Sequence, residues 1–179
     1  MACEGITRSR YIGCADNFSG IKAIGILPIK SKLTLTSDGL FEGVGITGSI
    51  YRWEVDADAN VGEGETQIDT QTLTNVTTQT LNLTIQGIDN DTLEQIRKLS
   101  YGKPKLFLEM FDDETILLMG HNSGCRLLNY KVSTGGARTD LSGITLTFEA
   151  KEKRTMAILG ATGSTAYNNA INLTNAING

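Results

Sequence analysis

From Ile21 onward apolar and polar residues alternate in short runs separated by glycine-, asparagine- and aspartate-rich breaks, the period of two that marks half-buried strands. The run Ile21-Lys-Ala-Ile-Gly-Ile-Leu-Pro-Ile29 predicts a first strand, with Pro28 near its end or on an edge. Leu33 to Thr36 continues in the same style, Ser37-Asp-Gly39 is a turn, and Gly43, Gly45 and Gly48 mark a bent segment. Ile50 to Asp56 is a strand with Tyr51, Trp53 and Val55 on one face and Arg52 and Glu54 on the other. A polar stretch, Asp56 to Glu65, leads into a threonine-rich run from Thr66 to Gln86. In the second half of that run Leu81, Leu83 and Ile85 alternate with Asn82 and Thr84. The strand at 50–56 and this one, with the loop between them, predict one long hairpin.

One helix follows. Asp89 or Asp91 can cap its start, because a short carboxylate accepts from the free amides there. Leu93, Ile96 and Leu99 share a face, and Gly102 with Pro104 stops it. Lys105 to Met110 and Thr115 to Met119, joined through Asp112-Asp113-Glu114, predict a second hairpin. Arg126 to Ser133 is another strand, Thr134-Gly-Gly136 a turn, and Ile144 to Lys151 the last strand. There Ile144, Leu146, Phe148 and Ala150 alternate with Thr145, Thr147 and Glu149. From Thr155 the chain turns to small residues, with five asparagines in the last twelve positions. The expected fold is mainly β: a β-sandwich or partly closed barrel with one flanking α-helix, a long hairpin loop and extended N- and C-terminal arms. The division is an arm at 1–20, a domain at 21–154 and an arm at 155–179.

Composition narrows the function. Sixteen basic against twenty acidic side chains, a net charge of −4, argue against a module that grips nucleic acid through its phosphates. No stretch of about 18 uninterrupted apolar residues spans a membrane. Met1 to Gly5 lacks the basic start and apolar run of a signal peptide, so reduced thiols are the expectation for Cys3, Cys14 and Cys125, and the Asn-X-Thr triplets reflect abundant Asn and Thr.

The candidate chemistry is thin. Cys3, Cys14, His121 and Cys125 carry zinc-ligating atoms, but only His121 and Cys125 are close in sequence. The same two residues form a Cys-His pair without a third, orienting group. Asp56-Ala-Asp58-Ala-Asn60 begins like a calcium loop, yet Val61 stands where that loop needs glycine and Gln67 where it needs a bidentate glutamate. Gly160-Ala-Thr-Gly163-Ser-Thr165 lacks the lysine of a phosphate loop. The expectation is therefore no catalytic residues, no metal and no cofactor. What remains is a run of acidic residues with no basic one among them: Glu54, Asp56, Asp58, Glu63, Glu65 and Asp69. It reads first as an exposed loop kept soluble by its charge, and functionally as a surface that repels a polyanion or a loop that docks on a neighbour's basic patch.

Several segments in order resemble virion structural proteins of tailed bacteriophages, of the tail-tube type. They are Cys14-Ala-Asp-Asn-Phe-Ser-Gly-Ile-Lys22, Leu99-Ser-Tyr-Gly-Lys-Pro104 leading into Leu106-Phe-Leu-Glu109, and Gly120-His-Asn-Ser-Gly124. Thr134-Gly-Gly136 and Asp140 to Glu152 complete the set. The similarity covers roughly residues 12 to 155, and its motifs are turn and strand signals. It implies a homo-oligomer: six copies in a ring whose inner sheets join into one barrel, with rings stacking into a hollow tube. Other virion tail proteins would be partners, and phage DNA would pass without specific binding. The subunit would be made in the host cytoplasm and end in the virion tail. The acidic segment from Asp56 to Asp69 falls where such proteins carry a loop that reaches an adjacent subunit or ring. The alternatives are another ring-forming or decorating virion protein (tail terminator, tail completion or capsid decoration) or a calcium- or carbohydrate-binding β-sandwich, for which Tyr51 and Trp53 would supply an aromatic platform.

Overall fold

The structure, a computed structural model, describes residues 19–27, 50–55, 59–69, 71, 74–111, 115–137, 140 and 142–158. The elements in order are β1 (Ile21–Leu27), β2 (Tyr51–Glu54), β3 (Val61–Asp69), β4 (Thr74–Gln86), α1 (Asn90–Tyr101), β5 (Lys105–Met110), β6 (Ile116–Met119), β7 (Arg126–Ser133), β8 (Gly143–Glu152) and β9 (Ala157–Ile158). Two antiparallel sheets form, β2-β1-β5-β6-β9 and β3-β4-β8-β7. Among the described residues they are not closed into a barrel, and the fold is the expected β-sandwich with one helix.

The core lies between them. Leu81 and Leu83 of β4 and Ile144, Leu146 and Phe148 of β8 face Ile24, Ile26, Leu106, Leu108 and Met119, all buried. The alternation along β8 supplies this face, while Thr145, Thr147 and Glu149 point away. Helix α1 starts as the sequence predicts: the Asp89 carboxylate accepts from the Thr92 amide at 2.7 Å and takes the Thr92 hydroxyl as well. Its one fully buried residue, Ile96, closes the core beside β7.

The other sheet is buried on both faces along β1 and β5. On its outer face the small residues Ala23 and Gly25 let Arg52 reach across β1 to Glu109. Arg52 Nε donates to Glu109 Oε2 at 3.0 Å and Nη2 to Oε1 at 3.3 Å, and Nη1 donates to Glu54 at 2.6 Å. These bonds, Glu109's first, hold the guanidinium above its ordinary pKa despite partial burial.

The expected hairpin between the strand at 50–56 and the one at 81–86 does not form. Strand β2 pairs with β1 in the first sheet, and the partner of β4 is β3. β3 reads as polar because all nine residues are exposed and its first two inward positions are Gly62 and Gly64, followed by Thr66. A Cβ on Gly62 would stand 3.0 Å from Leu108, and one on Gly64 3.1 Å from Thr155, so a close approach removes the apolar signal that marks a strand. The second difference is at the end of the domain. Ala157–Ile158 adds a strand to β6, so the sheet runs past the expected boundary at 154. The arms at 1–18 and 159–179, and the strand, turn and glycines expected between 28 and 49, lie outside the described residues.

Candidate functional site

The register of the four-stranded sheet decides which side chains share its outward face. Residues 61, 63, 65, 67 and 69 of β3 stand opposite 82, 80, 78, 76 and 74 of β4, whose inward neighbours Thr77, Gln79, Leu81 and Leu83 are buried. β8 adds Thr145, Thr147, Glu149 and Lys151, and β7 adds Arg126, Asn129 and Lys131. The resulting face is polar, with threonines down its middle and opposite charges on its two borders. Glu63, Glu65 and Asp69 lie on the β3 border and Arg126 and Lys131 on the β7 border. Across the whole described face, four carboxylates stand against three cations.

Both borders end in strands with no further strand beside them among the described residues. β3 is exposed over its whole length. β7 exposes Tyr130 and Val132 although they sit opposite the buried Leu146 and Ile144. Long edges without a partner strand are templates for pairing with another chain. β3 and β4 also outrun β8, whose last pair is Glu152 with Thr77. Three further pairs, out to Asp69 with Thr74, therefore project by roughly 10 Å. At their tip Asp69 accepts from the Gln71 amide at 2.8 Å, and Ile68 and Val76 are exposed.

The six acidic residues singled out in the sequence thus separate. Glu63, Glu65 and Asp69 stand on a strand rather than in a loop, on one face. Glu54 belongs to the other sheet, beside Arg52. Asp56 and Asp58 lie outside the described residues. Asn60, the third residue of the calcium-like pattern, is buried, with Nδ2 donating to the Val55 carbonyl at 2.6 Å and Oδ1 accepting from the Thr84 amide at 2.7 Å. Its side-chain oxygen ties β4 to the chain before β3 and is not offered to a cation. Tyr51 and Trp53 share the face that carries Ile26 and Ile24, and Trp53 packs against the core.

A second constellation, which sequence reasoning missed, sits where β6 and β8 end. Gly120 and Gly124 adopt φ of +71°, and the turn between them folds back on β8. There the Glu152 carboxylate accepts from the amides of Asn122 and Ser123 at 2.8 Å each and from the Ser123 hydroxyl at 2.9 Å. Gln79, inward on β4 and buried, accepts from the Gly120 amide at 3.0 Å and donates to the Arg154 carbonyl at 3.1 Å. The available signal was Thr77 and Gln79 at inward positions of a strand otherwise lined with leucine. Burial lowers the pKa of the nearby Lys105, against the attraction of Glu152. Burial and Lys105 also lower that of His121, against the same carboxylate.

Cys125 is fully buried, and burial pushes its thiol up to about 12, so it is not a nucleophile at neutral pH and makes no thiolate pair with His121. No group of three or more His, Cys, Asp or Glu suited to a metal occurs among the described residues; Cys3, Cys14 and the glycines at 160 and 163 lie outside them. No helix among the described residues is long and apolar enough to cross a membrane. Comparison with protein-family models, with curated proteins and with solved structures returns no match.

Proposed function

We propose that this chain is the structural subunit of a bacteriophage tail tube, assembling head to tail into closed, stacked rings that form a channel for DNA. The observation that carries the reading is the four-stranded sheet with two long exposed edges of opposite charge. Its strands alternate in direction from β3 to β7, so β7 of one copy laid beside β3 of the next runs antiparallel to it. Repetition of that step is a heterologous contact, which closes into a ring when the rotation allows. Closure removes both edges and brings Glu63 and Glu65 of one copy near Arg126 and Lys131 of its neighbour.

The outward face then lines the channel. Threonines, asparagines and a slight excess of carboxylates neutralise no phosphates in net terms, which suits a polyanion that must slide. The projecting β3–β4 tip, with Ile68 and Val76 exposed, favours a stacked tube over a terminator that stops at one ring. Sixfold symmetry comes from the resemblance alone.

A charge-swap experiment tests the seam. Glu63→Lys with Glu65→Lys puts like charges across it and is expected to raise the concentration needed for assembly at least tenfold, or about 1.4 kcal/mol per seam. Adding Arg126→Glu and Lys131→Glu restores the pairing with reversed sign and is expected to recover assembly. Assembly of the double variant at the wild-type concentration removes the β3–β7 seam.

A further inference from the structure

On the inward side of the four-stranded sheet the two edges differ in bulk. β7 presents Tyr130 and Val132 there, opposite the buried Leu146 and Ile144, yet they are 48% and 42% exposed. β3 presents Gly62 and Gly64, opposite the buried Leu81 and Gln79, and both glycines are exposed. Neither position takes a side chain of its own easily. A Cβ on Gly62 would stand 3.0 Å from Leu108, and one on Gly64 3.1 Å from Thr155, in the wall of a recess of about 210 Å³ that Glu152 also lines. Half-exposed apolar bulk on one edge and bare backbone on the other are complementary. An aromatic ring laid across a cross-strand glycine covers the backbone that the glycine leaves open.

The match picks out one register. When β7 of one copy lies antiparallel to β3 of the next, both apolar residues meet glycine in a single alignment, Val132 opposite Gly62 and Tyr130 opposite Gly64. On the outward face the same alignment sets Lys131 opposite Glu63 and Asn129 opposite Glu65. A shift of two residues one way puts Tyr130 opposite Thr66, and the other way carries Val132 past the start of β3. Hydrogen-bonded and non-hydrogen-bonded pairs alternate from one ladder to the next. Followed from Gly62–Leu81 through Leu81–Phe148 to Ile144–Val132, that alternation leaves Gly62 and Val132 in the same phase, so the two can pair.

We propose that Tyr130 of each copy lies across Gly64 of the next, with Val132 beside Gly62, so that these glycines set the register of the seam. The inference rests on the head-to-tail assembly proposed above. It adds what charge leaves open, since Lys131 could face either Glu63 or Glu65. Bulk on one edge and its absence on the other is also the heterologous arrangement that ring closure needs.

Disulfide trapping reads the register in a Cys3→Ser, Cys14→Ser background. Directly opposite residues have Cβ atoms about 4.5–5.5 Å apart and diagonal ones about 7–8 Å, and a disulfide needs about 3.5–4.5 Å. Oxidised assemblies carrying Lys131→Cys with Glu63→Cys are expected to give a ladder of covalent multimers on a non-reducing gel. Lys131→Cys with Glu65→Cys should give at least tenfold less. Tyr130→Ala should raise the assembly concentration about tenfold, and Tyr130→Phe, which keeps the ring, should leave it unchanged. Trapping at Glu65→Cys in preference to Glu63→Cys, or an unchanged assembly concentration in Tyr130→Ala, overturns the glycine contact and leaves the edge seam standing. Assemblies that trap with neither pair, or a wild-type protein that does not assemble at any concentration, overturn the head-to-tail reading and the register with it.

Discussion

Replacing Glu152 measures how firmly the end of the sandwich is held. The carboxylate is buried and accepts three hydrogen bonds of 2.8 to 2.9 Å from the turn that carries Asn122 and Ser123. Glu152→Ala deletes the acceptor and strands two backbone amides. Each hydrogen bond to a charged acceptor is worth about 1.5–3 kcal/mol, and each buried donor left unpaired costs about 1–3 kcal/mol. The two quantities overlap, and water entering the enlarged recess satisfies part of what is lost. The expected loss is about 3–5 kcal/mol. Glu152→Gln keeps an oxygen of the same reach and gives up only the charge, for an expected loss of about 1–1.5 kcal/mol. Urea unfolding of the unassembled subunit reads both values from the shift in midpoint at constant slope. In thermal terms the alanine variant should melt about 6–20 °C below wild type, using about 2–4 °C per kcal/mol at this chain length. Equal losses for the two variants, or an alanine loss under about 1 kcal/mol, would refute the claim that this carboxylate organises the turn.

Three further outcomes follow from the same residues. His121 is held below its ordinary value of 6.5, so the unfolded chain binds a proton more readily than the native one; stability should be full above that value and decline as pH falls below it. Tracking the urea midpoint from pH 8 to pH 5 should show that decline, and His121→Gln should flatten it. Cys125, buried with its thiol pushed up to about 12, should resist iodoacetamide in the folded protein at neutral pH and react on unfolding, as read by mass spectrometry of its peptide. Gly120→Ala should destabilise by about 2–5 kcal/mol. The residue sits at positive φ, and the added Cβ would stand 2.6 Å from the Cys125 sulfur and 2.8 Å from its amide nitrogen.

The sequence was most readable where alternation and burial coincide. β8 follows its Ile-Leu-Phe-Ala face, β5 and β6 form the expected hairpin, and α1 begins on Asp89 and ends at Gly102. Reading failed where packing suppresses the pattern. Gly62 and Gly64 take the first two inward positions of β3, where a larger residue would meet Leu108 or Thr155, so the start of a nine-residue strand reads as a polar loop and its partner is misassigned. β9 is two residues long, too short to carry any period. The acidic border could be seen as charge, but its basic counterpart could not. Arg126 and Lys131 lie some sixty residues further on and meet the same face only through the order β3-β4-β8-β7. The Glu152 and Gln79 network is non-local in the same way, bridging residues 29 to 75 positions apart.

The most direct measurement is electron microscopy of the purified protein with light-scattering mass on the same sample. The account predicts closed rings and hollow stacked tubes whose mass is a multiple of the subunit's, and whose formation is lost in the Glu63→Lys, Glu65→Lys variant and regained in the fourfold swap. A protein that stays monomeric up to its solubility limit, or that forms rings indifferent to those charges, would contradict it.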